Sequence, residues 1–224
     1  MKRGSYVTRL ADPHYLAAVF YWATSRVLRL QVHNVLTIAL SRAAARIPEL
    51  PPDYRFHAIR DTDQLAALGG AIEAQLNDQS GLSCRSMLAR GDRIYAIVDS
   101  RGVACQLNMR RAPLTVDSPS ELVFEFDADC RFLNYLYTRD DQRGRGLAGR
   151  LIRLAAADCA DEGSTRCFSH VRATNHASLR AFRRCGWKRS ARILSTRSGR
   201  FLAAPGCLAA GLAVRRVNSA ESSA

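Results

Sequence analysis

Residues 131–151, RFLNYLYTRDDQRGRGLAGRL, constrain the fold more than any other stretch of this chain. The run begins with an aromatic-rich segment typical of a strand, continues through a polar turn, and ends in an apolar-periodic helix. Gly144 and Gly146 stand in the turn and at the helix start, where glycine allows backbone conformations and close approaches that a Cβ would block. The helix is therefore expected to begin near residue 146, and its first N–H groups have no acceptor inside the helix.

These N–H groups predict an anion site. Together with the helix dipole they attract a phosphate or a pyrophosphate, and Arg143 and Arg145 add positive charge. The P-loop pattern is absent from the sequence. Gly144, Gly146 and Gly149 do have the spacing of a dinucleotide fingerprint, but that turn usually follows the first strand of a βαβ unit. Here it comes late, after several strands predicted to be antiparallel, so a dinucleotide fold is not favoured.

The rest of the chain predicts an α/β (α+β) fold with a central mixed sheet flanked by helices. Alternating or apolar segments predict strands at 54–60, 93–100, 102–110, 122–126, 131–138, 165–173 and 191–197. Helical periodicity predicts helices at 64–76, 82–89, 147–163 and 175–186. Residues 113–120 are expected to form a loop, and the segment after Arg200 is expected to complete the sheet.

Residues 13–47 predict an N-terminal helical extension, as one long helix or two short ones. Asp12 suits an N-cap and Pro13 a first helical position. Arg26 and Arg29 interrupt the apolar stretch before it reaches the length of a membrane span. Two roles stay open: a basic amphipathic helix on a membrane surface, or a helix packed on the main domain or on a second subunit in a homodimer.

The domain boundaries follow from composition. A proline-rich linker at 47–52 separates an extension at 1–50 from a main domain at 51–217, and the polar residues 218–224 are expected to be a disordered tail. No secretory signal is recognisable after Met1, which indicates a cytoplasmic protein, with contact at the inner face of the membrane left open.

The net charge of +13 would suit a polyanionic partner, but it has a second explanation. Lys2 and Lys188 are the only lysines, so codon bias toward arginine accounts for the charge equally well. The basic residues are spread along the chain and form no run, so nucleic acid is not favoured as a partner. The seven cysteines form no C-x-x-C pair and no cluster with zinc spacing, so buried thiols in a reducing compartment and no metal site are expected.

Two motifs in register resemble those of the GNAT superfamily of N-acetyltransferases. Residues 143–148, RGRGLA, match the pattern [QR]-x-x-G-x-[GA] between a strand and a helix. About 30 residues later the chain follows N-x-x-[AS]-x-x-L-Y-x-x-x-G-[FW], with alanine and phenylalanine in place of Leu-Tyr. The residues in register are Asn175, Ser178, Ala181, Phe182, Gly186 and Trp187. The resemblance covers roughly residues 54–215.

The resemblance implies an enzyme that transfers an acetyl group, or another acyl group, from acetyl-CoA to an amine by direct attack. Strands 132–138 and 166–172 would lie parallel and splay apart, and the gap would hold the pantetheine arm. The implied donor-binding residues are Leu136, Tyr137, Thr138, Arg143, Gly144, Arg145, Gly146, Leu147, Ala148, Asn175 and Phe182. The acceptor, a small molecule or a protein amine, is not specified.

The acid and base of the reaction are not the residues that many members of the superfamily use. Phe182 stands at the tyrosine position and Asn134 at a strand position that often carries glutamate. Replacement candidates are His170, which titrates near neutral pH, and Tyr135 and Tyr137 near the thioester region. Cys167 and Cys185 are also near, but buried core thiols are the simpler interpretation, and a water chain could replace a dedicated acid. Two alternatives stay open: a degenerate domain that binds CoA and acts in regulation, and a membrane-surface acyltransferase with a longer donor.

Overall fold

The computed structural model describes residues 30–40, 49–116 and 122–217. This part of the chain forms a sheet of eight strands, a second sheet of three strands, and helices on both faces of the large sheet. The strands are β1 Leu30–Ala39, β2 Arg55–Ile59, β3 Arg93–Asp99, β4 Gly102–Arg110, β5 Leu114–Val116, β6 Leu122–Glu125, β7 Cys130–Thr138, β8 Arg166–Arg172, β9 Lys188–Thr196, β10 Phe201–Ala203 and β11 Ala213–Arg216. The helices are α1 Thr62–Ala67, α2 Gly70–Ser80, α3 Cys84–Ala89, α4 Leu147–Asp161 and α5 His176–Arg184.

The large sheet has the strand order β10-β9-β1-β8-β7-β4-β3-β2. All neighbours are antiparallel apart from β7 and β8, which run parallel and are connected by α4. The expected mixed sheet flanked by helices is confirmed. The parallel pair lies near the middle of the sheet. Two parallel strands need a long connection that returns the chain to the end where the first strand began, and α4 provides it.

Three buried clusters fill the two faces of the large sheet. On one face, α4 and α5 bury an apolar stripe that includes Leu151, Ile152 and Trp187. The opposite face is covered by α1–α3 at the β2–β4 end and by the small sheet β11-β6-β5 at the β1–β8 end. Successive residues of a strand contribute to opposite faces: in β8, Cys167 belongs to the helix side and Phe168 to the small-sheet side.

The helical prediction for 13–47 is wrong over Leu30–Ala39, which forms β1. This strand lies inside the sheet, between β8 and β9, and Val35 is fully buried. The segment is rich in β-branched residues, which favour a strand, and pairing on both edges outweighs its apolar helical periodicity. The remaining residues of that prediction, 13–29 and 41–47, lie outside the described residues, as does the predicted tail at 218–224.

Three smaller expectations also differ from the structure. The predicted loop 113–120 contains strand β5, and residues 117–121 lie outside the described ranges. The predicted helix 64–76 is interrupted at Gly69, whose φ of +88° ends α1 before α2 begins. Of the segment after Arg200, β10 extends the large sheet beside β9 as expected, whereas β11 pairs with β6 in the small sheet.

The seven cysteines are all buried free thiols, as expected. Among the helices of the described segments, none has the length and apolar character needed to cross a membrane.

Candidate active site

The parallel ladder between β7 and β8 stops halfway along both strands. It runs from the pair Cys130 and Arg166 to the pair Leu133 and Ser169. Beyond it, β7 stays paired with β4 as far as Thr138, while β8 stays paired with β1. The two strands therefore diverge, and the β7 edge over 134–138 faces a gap with no strand partner among the described residues.

A register shift marks the point of divergence. In the β4–β7 ladder, Met109 is opposite Leu133 and Asn108 is opposite Tyr135, so Asn134 has no opposite residue in β4. An extra residue of this kind bends a strand and increases its local twist. The bulge at Asn134 thus accounts for the direction in which β7 turns away from β8.

The gap between the strands is a cavity of about 360 Å³. Its wall is formed by His33, Leu133, Asn134, Leu136, Ser169, His170, Val171, Arg172, Asn175, Ser178 and Phe182. Leu136 and Phe182 pack in the cluster on the helix side, whereas the His170 ring contacts Phe124 and Phe132 of the small-sheet cluster. The cavity therefore joins the two faces of the sheet through the split.

The glycine turn lies between the divergent end of β7 and the start of α4. Gly144 and Gly146 have φ values of +79° and +78°, in the region that favours glycine. Gly146 is the N-cap and offers no capping side chain, and the first backbone bond of this turn runs from Arg150 N–H to the Gly146 carbonyl at 3.2 Å. The N–H groups of 147–149 precede that bond and have no acceptor within the helix.

The space in front of this helix start suits a phosphate. A Cβ built on Gly144 or on Gly146 would meet no atom of the described residues within 4 Å, apart from its immediate chain neighbours. The positive end of the helix dipole and the orphan N–H groups face that space. The residues present therefore fit the pyrophosphate of a CoA donor, with the split between β7 and β8 beside it for the arm.

A partly buried polar network holds the turn in place. The Arg139 guanidinium donates to Asp99 at 2.5 Å and to Asp141 at 2.7 Å. Gln142 donates to Asp99 at 3.2 Å and accepts from the Tyr54 hydroxyl at 2.7 Å. Although burial opposes its ionisation, the hydrogen bonds from Arg139 and from the Arg101 N–H lower the pKa of Asp99.

The two predicted arginines of the turn are exposed and in contact with neighbours. Arg143 forms an ion pair with Asp140 at 2.6 Å, and Arg145 donates to the Tyr54 hydroxyl at 3.4 Å. Exposed pairs of this kind contribute little to stability, so both guanidinium groups can exchange partners for a phosphate.

His170 lies on the small-sheet side of the cavity, among aromatic rings. Its ring centroid is 5.7 Å from that of Phe124 and 5.8 Å from that of Phe132. A second histidine ring, that of His33 on β1, lies at 5.5 Å. Sequence reasoning missed His33 because it assigned the segment to a helix, although the β-branched Val32, Val35, Thr37 and Ile38 around it are a strand signal.

The other predicted acid–base candidates lie away from this wall. The Tyr135 hydroxyl donates to the backbone carbonyl of Gln79 on α2, and burial together with Tyr137 raises the pKa of Tyr135. Neither Tyr135 nor Tyr137 is among the described residues that line the cavity. Cys167 and Cys185 are buried in the cluster on the helix side, in agreement with their interpretation as core thiols.

Asn175 and Phe182 hold the far wall of the cavity. The Asn175 side-chain oxygen caps α5 by accepting from Ser178 N–H at 3.1 Å, which fixes this side chain at the helix start. Phe182 is 2% exposed and packs edge-to-face on Trp187, with 4.9 Å between ring centroids. Its ring carries no hydroxyl group, so residue 182 has no proton to donate to a leaving thiolate.

Residues 112–187 match the model of the acetyltransferase (GNAT) family. The resemblance to the GNAT superfamily is confirmed. The matched stretch contains both split strands, the glycine turn and α5, so the family signal coincides with the site. No curated protein matches the chain significantly.

Solved structures show the same fold at low identity. A protein of Novosphingobium aromaticivorans assigned to the GNAT acetyltransferases aligns with a TM-score of 0.50 and 18% identity over 85% of this chain. A Drosophila protein aligns with a TM-score of 0.50 and 16% identity over 82% of this chain. The chain spans 67% of the first of these proteins and 57% of the second.

Proposed function

We propose that this protein is an N-acyltransferase that takes an acetyl group, or another acyl group, from a CoA thioester and gives it to an amine. The observation that supports this most is the divergence of β7 and β8 after the pair Leu133 and Ser169, beside the open helix start at Gly146. These two features provide an extended slot and an anion site next to each other. The GNAT family match supports acetyl-CoA as the donor.

The donor's phosphates would lie at the start of α4, on the helix side of the sheet. The backbone of Leu136–Thr138, on the free edge of β7, would pair with the amide groups of the arm, and Asn175 and Phe182 would contact it from the facing wall. Bound acetyl-CoA would supply an activated thioester carbonyl. The protein contributes mainly by positioning the thioester and the amine, because two reactants that are already oriented need no further ordering before the reaction.

Proton transfer falls to the small-sheet side of the cavity. An ammonium acceptor must lose a proton before its nitrogen can attack, and His170 lies in the cavity wall, where its imidazole is placed to take that proton. Tyr135 and Tyr137 are weaker candidates because neither lines the cavity. The protein donates no tyrosine proton at residue 182, so the leaving thiolate is expected to take its proton from water.

Calorimetry with acetyl-CoA tests this proposal at the helix start. Wild-type protein should bind in the micromolar range, and Gly146→Trp should abolish binding because the indole fills the phosphate space. Gly163→Trp is the matched control: Gly163 follows the other end of α4, has a φ of +88°, and has equally open surroundings. Absence of wild-type binding would refute a CoA-dependent role, whereas binding without release of CoA in the presence of any amine would favour a regulatory CoA-binding domain.

The acceptor is a small molecule or a protein amine, and the chain acts in the cytoplasm. A homodimer, or a membrane contact through 13–47, concerns residues that lie largely outside the described ranges.

A further inference from the structure

His33 is a buried polar side chain to which the described part of the chain offers no hydrogen-bond partner. It lies on β1, is 1% exposed, and lines the cavity between the split strands. Neither ring nitrogen has a hydrogen-bond partner among the described residues. A buried donor or acceptor left in this state destabilises a fold, and the great majority of such groups in proteins are paired. An unpaired imidazole in a cavity wall indicates that a bound ligand supplies its hydrogen-bond partner.

The neighbours of His33 define which part of a ligand it would meet. The His170 ring lies 5.5 Å away, and the two rings share the side of the sheet that faces the small sheet. Burial first, and then the charges of His170 and Arg172, lower the pKa of His33 from 6.5 to about 3. At neutral pH the ring is therefore uncharged, with one nitrogen able to accept a hydrogen bond and the other able to donate one.

Arg172 stands directly opposite His33 in the β1–β8 ladder. Opposite residues of an antiparallel pair project from the same face, about 5 Å apart. Arg172 is also part of the cavity wall. Among the described residues of that wall there is no aspartate and no glutamate, and Arg172 is the side chain in it that carries a formal charge.

We propose that His33, His170 and Arg172 form the acceptor site, and that the acceptor is a small primary amine bearing a carboxylate or a phosphate near its amino group. His33 hydrogen-bonds the amino group, His170 takes its proton, and Arg172 pairs with the anionic group. This inference rests on the proposed function and specifies its acceptor. A polycationic amine is disfavoured, because its further ammonium groups would meet Arg172 with no carboxylate in the described wall.

The test compares amines that differ only in the anionic group. Each common L-amino acid is assayed with acetyl-CoA beside the amine made by removing its carboxylate, for example phenylalanine beside 2-phenylethylamine. O-phosphoethanolamine beside ethanolamine represents the phosphate case. CoA release gives kcat and KM for the acceptor, and calorimetry gives the affinity for acetyl-CoA separately.

Four variants identify the groups involved. His33→Phe keeps an aromatic ring but removes both nitrogens, and it should raise the acceptor KM about tenfold, the change expected from one lost hydrogen bond, with acetyl-CoA affinity unchanged. Arg172→Gln should remove the preference for the anionic member of each pair. His57→Phe on β2 and Arg189→Gln on β9 are the controls, since neither lines the cavity among the described residues, and both should behave as wild type.

A binding measurement keeps the inference testable if turnover is slow. In protein saturated with CoA and labelled at histidine with ¹⁵N, a productive amine should shift the His33 ring signals, and the Arg172→Gln variant should weaken that response. If acetyl-CoA binds but decarboxylated amines are used as well as their parents, or if no amine perturbs His33, the inference is overturned while the proposed function stands. If acetyl-CoA does not bind, the proposed function fails and this inference fails with it.

Discussion

The Ser169 hydroxyl donates a hydrogen bond of 2.9 Å to the Leu133 carbonyl, at the last pair of the β7–β8 ladder. Ser169 is 2% exposed. Immediately beyond this bond the strands separate and the cavity begins. The hydroxyl therefore adds a hydrogen bond between the two strands at the end of their regular ladder, where the split starts.

Ser169→Ala should lower the free energy of unfolding by about 1–3 kcal/mol, because the buried Leu133 carbonyl loses its partner. Ser190→Ala is the matched control: its hydroxyl donates to the Val35 carbonyl at 3.4 Å but lies on an exposed residue, and its effect should stay within about 0.5 kcal/mol. Urea unfolding of the three proteins provides the comparison. Equal stability of Ser169→Ala and wild type would show that the end of the ladder does not depend on this hydroxyl.

Arg139→Gln should destabilise the turn before α4 by about 2 kcal/mol or more, since Asp99, whose side chain is 10% exposed, loses its cation. The lowered pKa of Asp99 gives stability that is present above its unfolded pKa, near 4, and is lost as pH falls through the folded pKa. The difference in the free energy of unfolding between variant and wild type should therefore become smaller in acid. Unfolding at neutral pH and below pH 4 measures it, with Arg101→Gln, an exposed partner of Asp141, as the control. A difference in the free energy of unfolding that is independent of pH would contradict the role assigned to Asp99.

The local sequence pattern predicted the proposed donor side of the site, whereas tertiary strand pairing determines the proposed acceptor side. The strand, glycine turn and helix over 131–151 are contiguous, so their order and the conformation of Gly146 follow from short-range chemistry. His33 reaches the cavity because β1 pairs with β8, and His33 itself lies opposite Arg172, far away in sequence. An apolar strand buried within a sheet has little alternation to distinguish it from a helix, so its partners were not visible in the sequence.

The position of β1 inside the sheet can be tested at two residues of that strand. Val35 is fully buried and Ala39 is exposed at the strand end, four residues further along the same face. Val35→Asp should cost more than about 4 kcal/mol, because it buries an unpaired carboxylate, whereas Ala39→Asp should be tolerated. Soluble yield and urea unfolding report the difference. Equal stability of the two variants would place residues 30–39 outside the core and would favour the helical extension.

The burial of His33 predicts an acid-dependent loss of stability that a phenylalanine removes. The pKa of His33 is 6.5 as a free side chain and about 3 in the fold, so the unfolded chain binds a proton in that interval and the native protein does not. Stability is therefore full above pH 6.5 and declines as pH falls toward 3, with a loss of about 2 kcal/mol between pH 7.5 and pH 5. In His33→Phe this loss should disappear, so the stability of the variant relative to wild type should show a gain as pH falls. Urea unfolding at both pH values measures the gain, and His57→Phe, which removes a half-buried histidine with a lowered pKa, should show a smaller one. Parallel pH profiles for wild type and His33→Phe would mean that His33 is charged or solvated in the native protein, and its role as an uncharged acceptor contact would have to be abandoned.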